Sequence, residues 1–189
     1  MDDALIQTLL EVTSVLERLR IPHAVTGSVA SSIHGEVFQS MDADVILLAS
    51  SRDATQVANH LGPRFYAPAD MLSEAAATRS FANVIDNRTG LKVVLSFIGE
   101  DRYLRSVLER RIRSTIGSHP AEFWFVTPED IILMKLIWRK DTQSAKQWEN
   151  ALGVVRVRGA RMDWAYLRRE AELLGLLSDL NRLRDEAGV

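Results

Sequence analysis

Residues 25–46 constrain this 189-residue chain more than any other stretch. They read Val-Thr-Gly-Ser-Val-Ala-Ser-Ser-Ile-His-Gly, then Glu-Val-Phe-Gln-Ser-Met, then Asp-Ala-Asp-Val-Ile. The pattern predicts a short strand stopping at Gly27-Ser28, a helix of about two turns, a loop, and a second strand opening with two aspartates. A Gly-Ser turn at a helix start permits close backbone approach and leaves N–H groups free, which suits a phosphate. Asp42 and Asp44 are two apart on a strand, so both carboxylates lie on one face. Two carboxylates facing a phosphate cradle are what a divalent cation on a nucleoside triphosphate requires. A plainer reading stays open: a serine cap and a solvated strand end. Against it, adjacent like charges repel unless a cation or donor compensates.

The rest of the composition narrows the class. Hydrophobic residues make up 47% and charged residues 25%, the balance of a globular chain. No apolar run approaches the roughly 20 residues of a membrane span, and Met1-Asp2-Asp3 lacks the basic start of a secretory leader. Without cysteine there is neither a disulfide framework nor thiolate chemistry. The expectation is a cytoplasmic protein with no membrane partner. Residues 1–100 hold 7 Lys/Arg and 12 Asp/Glu, residues 101–189 hold 16 and 13, so net charge runs from −5 to +3. A basic second half helps hold an anion, but a solvated helix face explains so small an excess equally well.

Periodicity predicts an amphipathic helix over 3–19, ended by Ile21-Pro22. A strand follows at 23–26, then a helix at 28–33 closed by Gly35 as its left-handed C′ residue. The apolar run 45–48 continues the aspartate strand, and helices are predicted over 52–61 and 69–78. Strands at 81–85 and 91–98 flank the turn Asn87–Gly90, followed by a helix over 103–111 and a strand at 123–126. At Thr127-Pro128-Glu129-Asp130 the character changes: a capping threonine, a proline at the first helical position, and two acids suited to a helix N-terminus. Helices are then expected over 128–139, 142–157, 163–174 and 176–187, the third capped by Asp163. The predicted class is α+β: a small mixed sheet flanked by helices over 1–126, and a helical bundle over 127–189 packed on it.

Gly27-Ser28, Ser40, Asp42 and Asp44, in this order and spacing, resemble the signature of the nucleotidyltransferase superfamily, the DNA polymerase β-like fold. Thr127–Leu136 resembles the strand-to-helix segment of its members, and the likeness extends over about residues 22–140 and into the helical tail. Small prokaryotic members of the minimal, toxin–antitoxin-associated kind are the nearest in pattern. The resemblance implies Gly27, Ser28, Ser40 and Lys135 as nucleotide-binding residues. It implies Asp42 and Asp44 as the catalytic residues that hold Mg²⁺ or Mn²⁺. It also implies transfer of a nucleoside monophosphate from a triphosphate to a hydroxyl on RNA, protein or a small molecule.

Two departures bear on turnover. The arginine of the family signature falls on Phe38, and its third carboxylate falls on Val94 in Lys92-Val93-Val94-Leu95. Losing a metal-bridging carboxylate costs several kcal/mol of transition-state stabilisation. The alternative is therefore a catalytically degenerate member that binds a nucleotide or a protein partner, as in a toxin–antitoxin pair. Glu36, Asp86 and Glu100 are the acids considered as replacements, with no spacing that selects one. Lys135 either snorkels from its apolar helix or points into the cleft. His34 is read as a helix-end residue rather than a ligand, and His23, His60 and His119 form no metal spacing. Arg156, Arg158 and Arg161, with Lys140 and Lys146, read as a solvated face, and the four tryptophans as packing residues.

Overall fold

Alternating buried and half-exposed residues along the strands set the architecture. The computed structural model describes residues 2–189, and of residue 141 the main chain alone. In chain order the elements are α1 (Asp3–Arg18), β1 (His23–Thr26), α2 (Gly27–His34), β2 (Asp42–Leu47), α3 (Ser51–Leu61), β3 (Phe65–Tyr66), α4 (Ala69–Thr78), β4 (Phe81–Asp86), β5 (Lys92–Phe97), α5 (Arg102–Arg110), β6 (Ile112–Thr115), β7 (Glu122–Phe125), α6 (Pro128–Thr142), α7 (Ala145–Arg158), α8 (Trp164–Leu173) and α9 (Leu177–Ala187). Among the described residues no helix is long and apolar enough to cross a membrane.

The chain forms two compact units: the chain up to Thr26 with Gln39–Phe125, and Gly27–Phe38 with Val126–Val189. The first unit holds one seven-stranded mixed sheet in the order β3-β4-β5-β2-β1-β7-β6. β2 runs antiparallel to β1 and parallel to β5, while β1 runs parallel to β7. On one face Ala43, Val45, Leu47, Ala82, Val84, Val93, Leu95 and Phe97 are buried. The helices α1 and α4 pack there, with α3 against both of them, and α1 contributes Leu5, Leu9, Val12 and Leu16. Each such leucine contributes on the order of 2 kcal/mol relative to exposure. The caps are local: Asp2 accepts from the Ala4 amide, and Ser50 and Asp53 form a reciprocal capping box at α3.

The second unit is helical. α2 and α6 pack on α7, and α8 and α9 close around them. Thr127 caps α6 as the sequence predicts, accepting from the Asp130 amide while its hydroxyl donates to the Asp130 carboxylate at 2.7 Å. Asp130 is fully buried and also accepts from the Tyr166 hydroxyl at 2.6 Å, which ties α8 to α6. Asp163 caps α8 as predicted.

Gly35 differs from its expected role. Its φ is not left-handed, so it is no C′ residue of that kind. A Cβ on Gly35 would stand 2.6 Å from the Val154 backbone N and Cα. Close approach of α2 to α7 demands the glycine, not a turn conformation. The short strands β3 and β6 also had no sequence signal: two residues carry no period, and Ile-Arg-Ser-Thr has no apolar face.

His23 opens β1 and is buried, its Nδ1–H donating to the Ile21 carbonyl at 2.8 Å. His34 ends α2 and is buried, its Nε2–H donating to the Val126 carbonyl at 2.7 Å. Burial is the main cause that holds both below the ordinary histidine value of 6.5, against the carbonyl bonds, which act the other way. As pH falls through 6.5 the unfolded chain therefore takes up protons before the folded one. The stabilisation is present above that value and is lost on acidification, at up to about 1.4 kcal/mol per pH unit per histidine. Urea unfolding between about pH 7.5 and 5 should show this decline, and His23→Gln or His34→Gln should flatten it. A stability independent of pH across that window would contradict the assignment.

Candidate functional site

The six residues singled out in the sequence fall into two groups, one on each unit. Ser40, Asp42 and Asp44 belong to the sheet unit; Gly27, Ser28 and Lys135 belong to the helical unit.

In the sheet unit, register rather than proximity in sequence defines the neighbours of the two acids. Asp44 pairs with Thr26 on one side and Val94 on the other. Asp42 pairs with Lys92, and Asn83 pairs with Val94. Paired residues share a face, so Thr26, Asp44, Val94 and Asn83 form one row and Asp42 and Lys92 stand in the next. This is the face opposite α1, α3 and α4, and apart from the buried Thr26 these residues are half-buried. Ser40 orients Asp42: its hydroxyl lies 3.1 Å from Oδ1 and 2.8 Å from the Asp42 carbonyl. Lys92 Nζ lies 3.5 Å from Oδ2 of the same carboxylate. Sequence reading missed Lys92 as a partner, because only the strand register brings it opposite Asp42.

No acid on β5 stands beside Asp44; Val94 occupies that position. The three alternatives fare differently. Asp86 lies on the helix-covered face, fully buried, and accepts from Arg64 Nη2 at 2.7 Å and the Thr8 hydroxyl at 3.3 Å. Arg64 hydrogen bonding holds the Asp86 carboxyl below the usual carboxylate value, against the opposing effect of burial. Glu100 follows the far end of β5 and pairs with Arg105. Glu36 belongs to the helical unit, 3.8 Å from Arg156. Among the described residues no cluster of three or more Asp, Glu, His or Cys is arranged to hold a metal. Asp42 and Asp44 alone do not make a cage. They do fit a metal carried by a triphosphate, since Mg²⁺ is commonly held by one or two carboxylates plus substrate phosphates.

In the helical unit, α2 starts at Gly27 with φ +65°, a conformation that side chains with a Cβ disfavour. Ser28 is buried, and its hydroxyl donates to Asn150 Oδ1 on α7 at 3.4 Å. The Asn150 Nδ2 is buried with no hydrogen-bond partner among the described residues. Sequence reading gave Asn150 no role, because one asparagine on a long apolar helix carries no signal. Lys135 is only 2% exposed, with Nζ 5.3 Å from the Trp138 ring centroid, so it does not snorkel to solvent. Phe38, where the family signature has arginine, is a packing residue. Its backbone N–H donates to the Ser32 hydroxyl at 3.0 Å, and its ring lies where a Cβ on Gly153 would come within 3.2 Å. Of the basic cluster, Arg158 donates to the His34 carbonyl at 3.0 Å and so supports the end of α2.

The sequence matches no protein-family model and no curated protein. Solved structures do share the fold. The solution structure of the antibiotic-resistance factor ANT(2'')-Ia matches with TM-score 0.58 at 13% identity, over 98% of this chain and 100% of that one. An antigenic nucleotidyltransferase-like protein from Paracoccidioides brasiliensis matches with TM-score 0.52 at 14% identity, over 98% of this chain and 94% of that one. The fold is nucleotidyltransferase-like. At this level of identity the nucleotidyltransferase-like fold is what the likeness carries, and the chemistry has to be argued from the residues.

The approach of α2 to α7 supports the segment that bears Gly27 and Ser28. Gly35→Ala places a methyl group against backbone that cannot rotate away, an overpacking cost of about 1–3 kcal/mol. The midpoint of urea unfolding should fall accordingly; an unchanged midpoint would show that the two helices are free to separate there.

Proposed function

We propose that this protein binds a metal–nucleoside triphosphate and transfers the nucleoside monophosphate to a hydroxyl acceptor. The observation that carries this reading is the pair Asp42 and Asp44 on the half-exposed sheet face, with Ser40 orienting one of them. Asp42 and Asp44 would hold the metal, Mg²⁺ or Mn²⁺. When bound, that cation would supply charge neutralisation on the phosphates. Gly27 and Ser28 are assigned to the triphosphate by their place at a helix start, where N–H groups lack intrahelical partners, and Lys135 and Ser40 by the family resemblance. In the reaction the acceptor oxygen bonds to the α-phosphorus, the α–β bridging P–O bond breaks, and pyrophosphate leaves with the electron pair. The hydroxyl proton passes to solvent. Positioning and electrostatics supply most of the rate in such transfers.

A second reading has one observation in its favour: Val94 opposite Asp44, where an oxygen ligand would otherwise stand. On that reading the protein retains nucleotide binding, turns over little or nothing, and serves through a partner protein.

Two measurements separate these readings. Calorimetry with each Mg–triphosphate should show metal-dependent binding to the wild type, weakened about tenfold or more in the Asp42→Asn/Asp44→Asn double variant. Binding that ignores either the metal or the double substitution would sink the site assignment. Val94→Asp adds a carboxylate beside Asp44 on the open face. It should raise transfer of label from an α-labelled triphosphate to lysate acceptors by about tenfold or more. If wild type already transfers and Val94→Asp adds nothing, the third carboxylate is dispensable in this protein.

A further inference from the structure

The start of β1 carries a second cluster of polar groups, at the opposite end of that strand from the Thr26–Asp44 pair. His23 pairs with Leu47 and Thr26 with Asp44, so the two ends stand about 10 Å apart along the strand. At the His23 end an open pocket of about 300 Å³ is lined by Arg20, His23, Arg111, Arg113, Trp124 and Glu17, together with Ile21 and Pro22. All belong to the sheet unit. Nothing in the nucleotidyltransferase-like reading uses them.

Three features distinguish the pocket from an ordinary solvated surface. The first is charge: three guanidinium groups face one carboxylate. Glu17 pairs with Arg113 at 3.0 Å, and no other ion pair involves the pocket arginines among the described residues. The second is crowding. Arg113 and Arg111 both stand over the Trp124 ring, at 4.8 and 4.7 Å from its centroid. Two like charges held on one indole repel each other, and a ring quadrupole offsets only part of that cost. The third is unsatisfied polarity. Arg111 Nε and His23 Nε2 are both buried with no hydrogen-bond partner among the described residues. His23 is 3% exposed. Its Nδ1–H is already committed to the Ile21 carbonyl, so in the neutral ring Nε2 is a bare acceptor beside cations. Unpaired buried polar atoms of this kind are uncommon unless something else supplies their partner.

We propose that this pocket is a binding site for a phosphate-type dianion, inorganic phosphate or a small phosphate monoester. Arg111 Nη1 already donates to the Leu108 carbonyl and Arg113 Nη1 to Glu17 and the Glu122 carbonyl, so these arginines supply their remaining donors. Arg20 adds charge at the rim, and Trp124 fixes the guanidinium planes. The anion gives Arg111 Nε an acceptor. It also reverses the role of His23: a proton added at Nε2 turns that bare acceptor into a donor toward the anion. Burial weighs most against the protonated ring and the Ile21 carbonyl bond favours it; of the charged groups, Glu17 favours it and Arg111 and Arg113 disfavour it until the anion neutralises them. Anion binding and proton uptake are therefore coupled.

The test is calorimetry with inorganic phosphate, phenyl phosphate and sulfate near neutral pH. Wild type should bind phosphate saturably at millimolar concentration or below, and comparison with phenyl phosphate tells free from esterified phosphate. Arg113→Gln and Arg111→Gln should each weaken binding about tenfold or more. Glu17→Gln removes the competing carboxylate from an exposed position and should tighten binding severalfold, a gain that misfolding cannot imitate. Sulfate does not titrate in this range, so buffers of different ionisation enthalpy report protein protons alone. Uptake of protons with wild type and none with His23→Gln supports the coupling. Phosphate affinity unchanged in Arg113→Gln and Glu17→Gln, or lost instead in Asp42→Asn/Asp44→Asn, would overturn the site. So would the absence of saturable binding.

Discussion

The period-two alternation of β2 is the constraint on which both halves of the sheet unit depend. Ala43, Val45 and Leu47 go into the core on the face covered by α1 and α4, and that alone sends Asp42 and Asp44 to the other face. A slip of one residue would bury two carboxylates and expose three apolar side chains. Burying a charge without a partner costs several kcal/mol, so the register is held by the acids as firmly as by the core. The same register then chooses the neighbours of the acids. β5, parallel to β2, presents Lys92 and Val94; β1, antiparallel, presents Thr26 just before the chain turns into α2.

How far this was legible depends on which signals are local. The helices and most strands were readable because their periods span several residues, and Thr127 and Asp163 declare their helices by capping chemistry. The Asp42–Asp44 face was readable for the same reason. Lys92 as a partner of Asp42 was not, because it depends on which strand pairs with which. Gly35 shows a different limit. A glycine after a short helix reads as a left-handed cap, while its real requirement is set by Val154, over a hundred residues on in sequence. Asn150 was silent for a related reason: a buried polar side chain acquires meaning only from what faces it, here Ser28.

Asp86 illustrates how a structure separates acids that sequence leaves equivalent. It lies one residue past the β4 position that shares a row with Lys92, and that single step turns it to the covered face. There Arg64, Thr8 and the Arg88 amide occupy its oxygens, and Glu11 joins through Arg64. Asp86 is buried and Arg64 half-buried, so removing the arginine leaves an uncompensated buried charge at a cost of several kcal/mol. Asp86 thus explains itself as a structural anchor between the sheet and α1. It is too committed to serve as a metal ligand.

The two irregularities beside the aspartates weigh very differently. Lys92 holds Asp42 at 3.5 Å, and with both side chains around two-fifths exposed the pair is worth at most about 1 kcal/mol. On the proposed reading a divalent cation bound with its triphosphate would outcompete a contact of that strength and leave the ammonium free to face the phosphates. Val94 is another matter. A valine provides no oxygen at any rotamer, and β2 and β5 are paired along six consecutive residues, so the backbone cannot shift to bring another side chain there. The electrostatic irregularity is reversible on ligand binding; the missing carboxylate is not. On the proposed reading, any deficit in chemistry at this site would therefore reside in one side chain of β5, while the residues proposed to hold the metal–nucleotide stand on β2.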